Sequence, residues 1–239
     1  MTSSVLTRWL RQGLRYGICP LCRAHHKLDR EYIWGFFDQW SMQDTAVEQF
    51  AAARGFCAEH AEQLCRIEVG AMRTTIGITD VYLATVERLL EDLAALRPDA
   101  GVLTQERCPA CVYRDKGVAD NVRYLLGELA GDSDFREQLA AGSGLCVAHF
   151  RQAWDAAQTP EQRAQLTVVQ HVVAQRLAGE LREHARKQRA EAAGEPAGPE
   201  ADSWQRAIWM TAGWPAPAQA ASVPEGDNPY VHHPSAEQP

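Results

Sequence analysis

The 239-residue sequence predicts an all-α protein. Three observations carry that expectation. Apolar residues recur with a period near 3.6 along almost every stretch before residue 189. Helix-start and helix-stop residues punctuate those stretches. No alternating segment is flanked by hairpin turns.

The elements follow in order. Residues 5–14 place Val5, Leu6, Trp9, Leu10 and Leu14 on one helical face. Residues 28–40 do the same with Leu28, Tyr32, Ile33, Phe36, Phe37 and Trp40. Asp44 is an N-cap for a short helix that ends near Gly55. A long helix is expected over 71–96, carrying Val81, Leu83, Val86, Leu89, Leu90, Leu93 and Leu96, and Pro98 stops it. Thr159-Pro160-Glu161-Gln162 opens another, with Thr as N-cap, Pro in the first turn and Gln at the capping-box position. That helix carries Leu166, Val169, Val172, Val173, Leu177 and Leu181.

Composition narrows the class. Hydrophobic residues make up 46% and charged residues 23%, which excludes a largely disordered or fibrous chain. No apolar run is long enough for a transmembrane helix, so no membrane is expected. Arg8, Arg11 and Arg15 interrupt the N-terminal stretch, which argues against a secretory signal. The net charge of −7 disfavours nucleic acid, because phosphate contact needs a basic face. The seven cysteines are odd in number, and their grouping, with four of them in two Cys-x2-Cys pairs, points away from a disulfide framework and towards a reducing, cytoplasmic compartment.

The chain also repeats itself. Cys19-Pro-Leu-Cys22 recurs as Cys108-Pro-Ala-Cys111, and Gly55-Phe-Cys57-Ala-Glu-His60 recurs as Gly144-Leu-Cys146-Val-Ala-His149, all at an offset of 89. Apolar positions match at the same offset: Ile33 with Val122, Phe36 with Leu125, Phe37 with Leu126, Phe50 with Leu139. We therefore expect an N-terminal helix over 1–18, two homologous helical modules over 19–98 and 108–189, and a tail over 190–239.

C-x2-C followed by C-x2-H is zinc-ligand spacing. A Cys-Pro-x-Cys turn aims two thiolates at one point. A Cys at a helix start and a His three residues on share a face, and the helix N-terminus favours thiolate charge. The expected sites are Cys19, Cys22, Cys57 and His60 in the first module and Cys108, Cys111, Cys146 and His149 in the second, one Zn²⁺ each. The same residues also suit buried structural thiols, thiol-disulfide exchange at the Cys-Pro-x-Cys pairs, or an iron–sulfur cluster. Cys65 aligns with Trp154 and is expected in the core, outside either site. His25 and His26 read as solvated loop residues, Glu31 and Asp120 as exposed acids with a possible ligand-orienting role, and His171 as a core-edge histidine. No P-loop, G-x-G-x-x-G, H-E-x-x-H or Ser/His/Asp arrangement is visible.

At these motifs the chain resembles a bacterial family of unknown function with paired CPxC and GFCxxH motifs in a helical chain. The match rests on Cys19-Pro-Leu-Cys22, Glu31-Tyr32, Asp44, Gly55-Phe-Cys-Ala-Glu-His-Ala61 and the helix after Gly70, and covers about residues 10–185. The second copy departs from the pattern, with Asn121 for Tyr32 and Phe150 for Ala61. The resemblance implies a helical fold and brings no activity.

Residues 191–239 hold seven acidic residues, one Arg and eight of the twelve prolines, which reads as flexible linker. Within it, 203–215 contains Trp204, Ile208, Trp209 and Trp214 and is expected either to dock on a protein partner or second copy, or to fold back on its own domain. The leading expectation is a non-enzymatic zinc-stabilised scaffold or adaptor. The alternative is a redox or metal-handling protein.

Overall fold

The computed structural model describes residues 10–14, 17–36, 44–67, 76–97, 105–189, 192 and 194–214. Val5, Leu6, Trp9, Phe37, Trp40, Gly70 and Pro98 lie outside the described residues. The described residues contain helices and no strand. After α1, described over 10–14, come α2 (Pro20–Gly35), α3 (Asp44–Ala52), α4 (Ala58–Ile67), α5 (Ile76–Ala95), α6 (Pro109–Gly131), α7 (Ser133–Ala141), α8 (Val147–Ala156), α9 (Pro160–Lys187) and α10 (Ser203–Ala212).

Two helices begin earlier than periodicity suggests. α2 starts at Pro20 with Cys19 as its N-cap, and α6 starts at Pro109 with Cys108 as its N-cap. The Cys-Pro-x-Cys pairs are thus first turns of helices rather than separate loops: proline is pre-set for the first helical position and has no N–H to strand. Thr159 caps α9 as its sequence indicates, its hydroxyl accepting from Gln162 N at 3.2 Å. Asp132 does the same for α7, accepting from Phe135 N at 3.1 Å. The glycines before the two C-x2-H motifs, Gly55 and Gly144, have φ of +88° and +61°. That left-handed turn explains why glycine stands there.

The centre of the fold is the packing of α2 along α6. The first half of α2 joins Val118, Val122, Leu125, Leu126 and Leu129 of α6, with Leu139, Leu145, Leu166 and Val169, in one apolar cluster. The second half of α2 (Tyr32, Ile33 and Phe36) joins Phe50, Phe56, Leu64, Val81 and Ala110 at the start of α6 in another. The two helices therefore pass in opposite senses, and each core mixes residues from both copies of the motif. They touch where Leu28 meets Gly117, positions that are themselves 89 residues apart; a Cβ on Gly117 would lie 2.7 Å from Leu28 Cδ1. Gly117→Val is expected to destabilise the fold by about 1–3 kcal/mol through overpacking. Adding Leu28→Ala should recover part of that loss; thermal unfolding of the single and double variants checks it.

α5 differs from expectation. It buries Val81 and Thr85 against the second cluster, whereas Leu83, Val86, Leu90, Leu93 and Leu96 are exposed. Cys65 is exposed rather than in the core. His171 is exposed on α9. The chain also stays ordered past Arg189. Glu195 pairs with Arg186 at 2.9 Å, and buried Glu200 pairs with Lys187 at 2.8 Å. α10 then packs on α9, and Trp214 joins the first core cluster. The tail up to that point is thus part of the folded body, not a free linker.

Candidate metal centres

All eight expected ligand residues come together in two groups of four, but the grouping is exchanged. Cys19 and Cys22 meet Cys146 and His149, which we term centre I; Cys57 and His60 meet Cys108 and Cys111, centre II. Each Cys-Pro-x-Cys pair therefore faces the C-x2-H motif of the other copy, not its own. The physical reason is the opposed packing of α2 and α6, which carries the start of each helix to the far side of its partner. The i, i+3 rule says only that the two residues of a pair share a face. It does not say which pair they meet.

Each centre lies where two helix N-termini converge: α2 and α8 at centre I, α6 and α4 at centre II. Unpaired N–H groups and helix dipoles there favour negative sulfur. The distances describe the edges of a tetrahedron. In centre I, His149 Nδ1 lies 3.2, 3.4 and 3.6 Å from the sulfurs of Cys146, Cys22 and Cys19, and Cys22 Sγ lies 3.6 Å from Cys146 Sγ. In centre II, His60 Nδ1 lies 3.1, 3.4 and 3.6 Å from those of Cys57, Cys111 and Cys108, and Cys57 Sγ lies 3.7 Å from Cys111 Sγ. Four ligands on one ion, with metal–sulfur bonds of about 2.3 Å, would set sulfurs roughly 3.8 Å apart. These contacts are far longer than a disulfide, and all seven cysteines are free.

The charges are arranged to suit a cation. In centre I, burial pushes the Cys19 thiol well up, while hydrogen bonds from Cys19 and Cys22, and then from His149, hold Cys146 strongly down. Burial opposes charge on His149, yet its bonds to Cys146 and Cys22 raise it to about 9. In centre II, burial works against a Cys108 thiolate, but His60 and the backbone N–H groups of Cys57 and Cys111 bring it down to about 6. Burial, with the Cys108 charge beside it, pushes Cys111 up to about 12. Each group thus holds one thiol pushed towards the thiolate and one pushed towards the neutral form, and a divalent ion would displace the remaining protons.

One residue of the site has no signal in the repeat. Asp29 on α2 is completely buried, and His60 Nε2 donates to its Oδ1 at 2.9 Å. The counterpart of Asp29 is Val118, so matching the copies passes over it. The bond leaves Nδ1 of His60 free to face the sulfurs, as carboxylates do behind metal-bound imidazoles. Against the opposing pull of burial, Asp29 and Cys108 raise His60 to about 10. Asp29→Asn is expected to weaken metal binding at centre II by about tenfold or more while leaving centre I unchanged. Titration against a competing chelator reads both affinities.

Glu31 and Asp120 stand apart from the ligands, paired with Lys27 and Arg123. His25 and His26 lie on α2 rather than in a loop. His25 Nε2 is 3.5 Å from Asp29 Oδ2, and its ring stands edge-on to His149 at 6.1 Å. His26 Nε2 donates to the carbonyl of Trp214 at 2.8 Å. His25, Asp29 and Glu59 form a third group of metal-type ligands. Arg114 already meets it, with Nε 3.7 Å from Asp29 and Nη1 3.4 Å from Glu59, so a guanidinium fills the role a cation would take.

No family model, curated protein or solved structure matches the chain. Among the described residues no helix is long and apolar enough to cross a membrane.

Proposed function

We propose that the chain is a non-enzymatic helical scaffold whose two halves are clamped together by two Zn²⁺ ions, held by Cys19, Cys22, Cys146 and His149 and by Cys57, His60, Cys108 and Cys111. The observation that carries this reading is the close approach of each set, with all four ligand atoms within 4.8 Å of one another. One ion with four protein ligands fits that span and leaves no position for substrate water, which is the pattern of structural zinc. The ligands of an iron–sulfur cluster sit on separate irons and spread further apart. Free thiols fit a reducing, cytoplasmic setting.

Elemental analysis of protein purified without chelator should find two zinc ions in a colourless chain. A metal-free protein overturns the reading, and iron with acid-labile sulfide replaces it with the redox alternative.

The adaptor role rests on exposed apolar side chains. Trp204 and Ile208 face solvent at 48% and 52%, whereas Trp209 packs partly, and Trp214 fully, on the chain's own core. Leu83, Val86, Leu90 and Leu93 on α5 follow the 3-4-3 spacing of a helix-pairing seam. A contact with another protein or a second copy through these residues should weaken by about tenfold when Trp204 and Ile208 become Ala, as loss of an aromatic anchor does. Sedimentation across a concentration series, alone and with a captured partner, measures it.

A further inference from the structure

The two centres are built from the same ligands on equivalent helix starts, yet they are enclosed differently. All four ligands of centre I are buried, and Cys146 is 1% exposed. In centre II, Cys57 and Cys111 are only half-buried.

The difference at centre I comes from the far end of the chain. After α10, Gly213 turns with φ of +88°, and the next residue lies over the sulfurs. Trp214 N–H donates to Cys22 Sγ at 3.4 Å, and its carbonyl accepts from His26 Nε2 at 2.8 Å. Its side chain is 8% exposed and meets the His26 ring edge-on at 5.6 Å. A Cβ on Gly213 would lie 3.7 Å from Cys22 Sγ and 3.9 Å from Cys146 Sγ, so the main chain itself covers the sulfurs. Behind this cover the segment is tied to α9 by Arg206 to Glu180 and Lys187 to Glu200.

We infer that Gly213–Trp214 is a seal over centre I and that centre II is the position at which the protein exchanges metal with a thiol- or nitrogen-bearing acceptor. This rests on the zinc reading above. Ligand exchange needs an incoming donor to reach the ion while a thiolate leaves and takes up a proton. At centre II the half-open Cys57 and Cys111 edge permits that approach. At centre I the acceptor must wait for the strap to lift, a local opening that costs the core contacts of Trp214 and its two hydrogen bonds.

The test uses the zinc-loaded full chain and a chromogenic pyridylazo chelator. Zinc release is expected in two equal phases, the slow one at least about tenfold slower, because protection scales with the cost of local opening. Iodoacetamide labelling after the fast phase should mark Cys57, Cys108 and Cys111, besides Cys65, which is exposed throughout, and spare Cys19, Cys22 and Cys146. A chain ending at Ala212 should keep its helicity and lose the slow phase, with the fast phase unchanged. If that chain does not fold, Trp214→Ala takes its place under the same criterion. A single release phase, labelling of centre I first, or an unaltered slow phase in the folded strap variant overturns the inference while leaving the zinc reading intact. A full chain without zinc fails at the earlier step.

Discussion

Cut into residues 1–104 and 105–239, the chain is expected to yield two fragments that each bind no zinc tightly, and a mixture that recovers two ions per pair. Each fragment carries one Cys-Pro-x-Cys pair and one C-x2-H motif, enough for a site if the modules were self-contained. The structure assigns those pairs to different centres, so each fragment holds two half-sites, one of each centre. The cut also divides the first core: α2 without α6 leaves Leu21 and Leu28 without Val118, Val122, Leu125 and Leu126, while the second core stays mostly in residues 1–104 and loses Cys108 and Ala110. Elemental analysis and circular dichroism of the fragments, apart and mixed, decide it. One tightly held zinc in residues 1–104 alone would show that the ligands pair within each copy.

Cys146→Ser should lower the zinc content from two to one and the melting temperature by more than about 10 °C, whereas Cys65→Ser should leave both within error. Structural zinc in small sites contributes about 10–16 kcal/mol at neutral pH, and removing one thiolate forfeits a large part of it. Cys146 lies inside the first core cluster beside Cys19, Cys22 and Leu145, so its loss also frees α8 from α2. Cys65 is exposed on α4 and belongs to neither centre. Inductively coupled plasma analysis and thermal scans of the two variants make the comparison.

Helix content and the eight cysteines and histidines of the two clusters were legible in the sequence because both leave periodic marks: a 3.6-residue apolar spacing and an 89-residue offset. The pairing of ligands left none. Both arrangements use the same residues at the same local spacings, and the tertiary packing of α2 along α6 decides between them. Asp29 was hidden by the comparison that revealed its neighbours, since its counterpart is Val118 and a repeat search discards what does not recur. The tail misled for a different reason. Proline, acidic residues and tryptophan describe a tether, yet ion pairs from Arg186, Lys187 and Arg206 fasten it, and those are tertiary contacts. The exposure of the α5 leucines was not legible either, because periodicity shows that a helix has an apolar face, not whether the face is covered.

The exchanged grouping sets an order of assembly. Along the chain the four motifs read first, second, third, fourth; centre II joins the middle two and centre I the outer two, a nested arrangement like one bracket inside another. Closing centre II spans 48 residues from His60 to Cys108, while centre I spans 124 from Cys22 to Cys146. The inner closure is entropically cheaper and shortens the outer one, so centre II should form first. During synthesis the first and second motifs leave the ribosome before their proper mates exist. A nascent chain meeting free zinc at that stage can hold an ion only weakly on Cys19, Cys22, Cys57 and His60, and that ion must be released before α2 can pack on α6. Refolding in the presence of excess zinc should therefore be slower than refolding without metal followed by its addition.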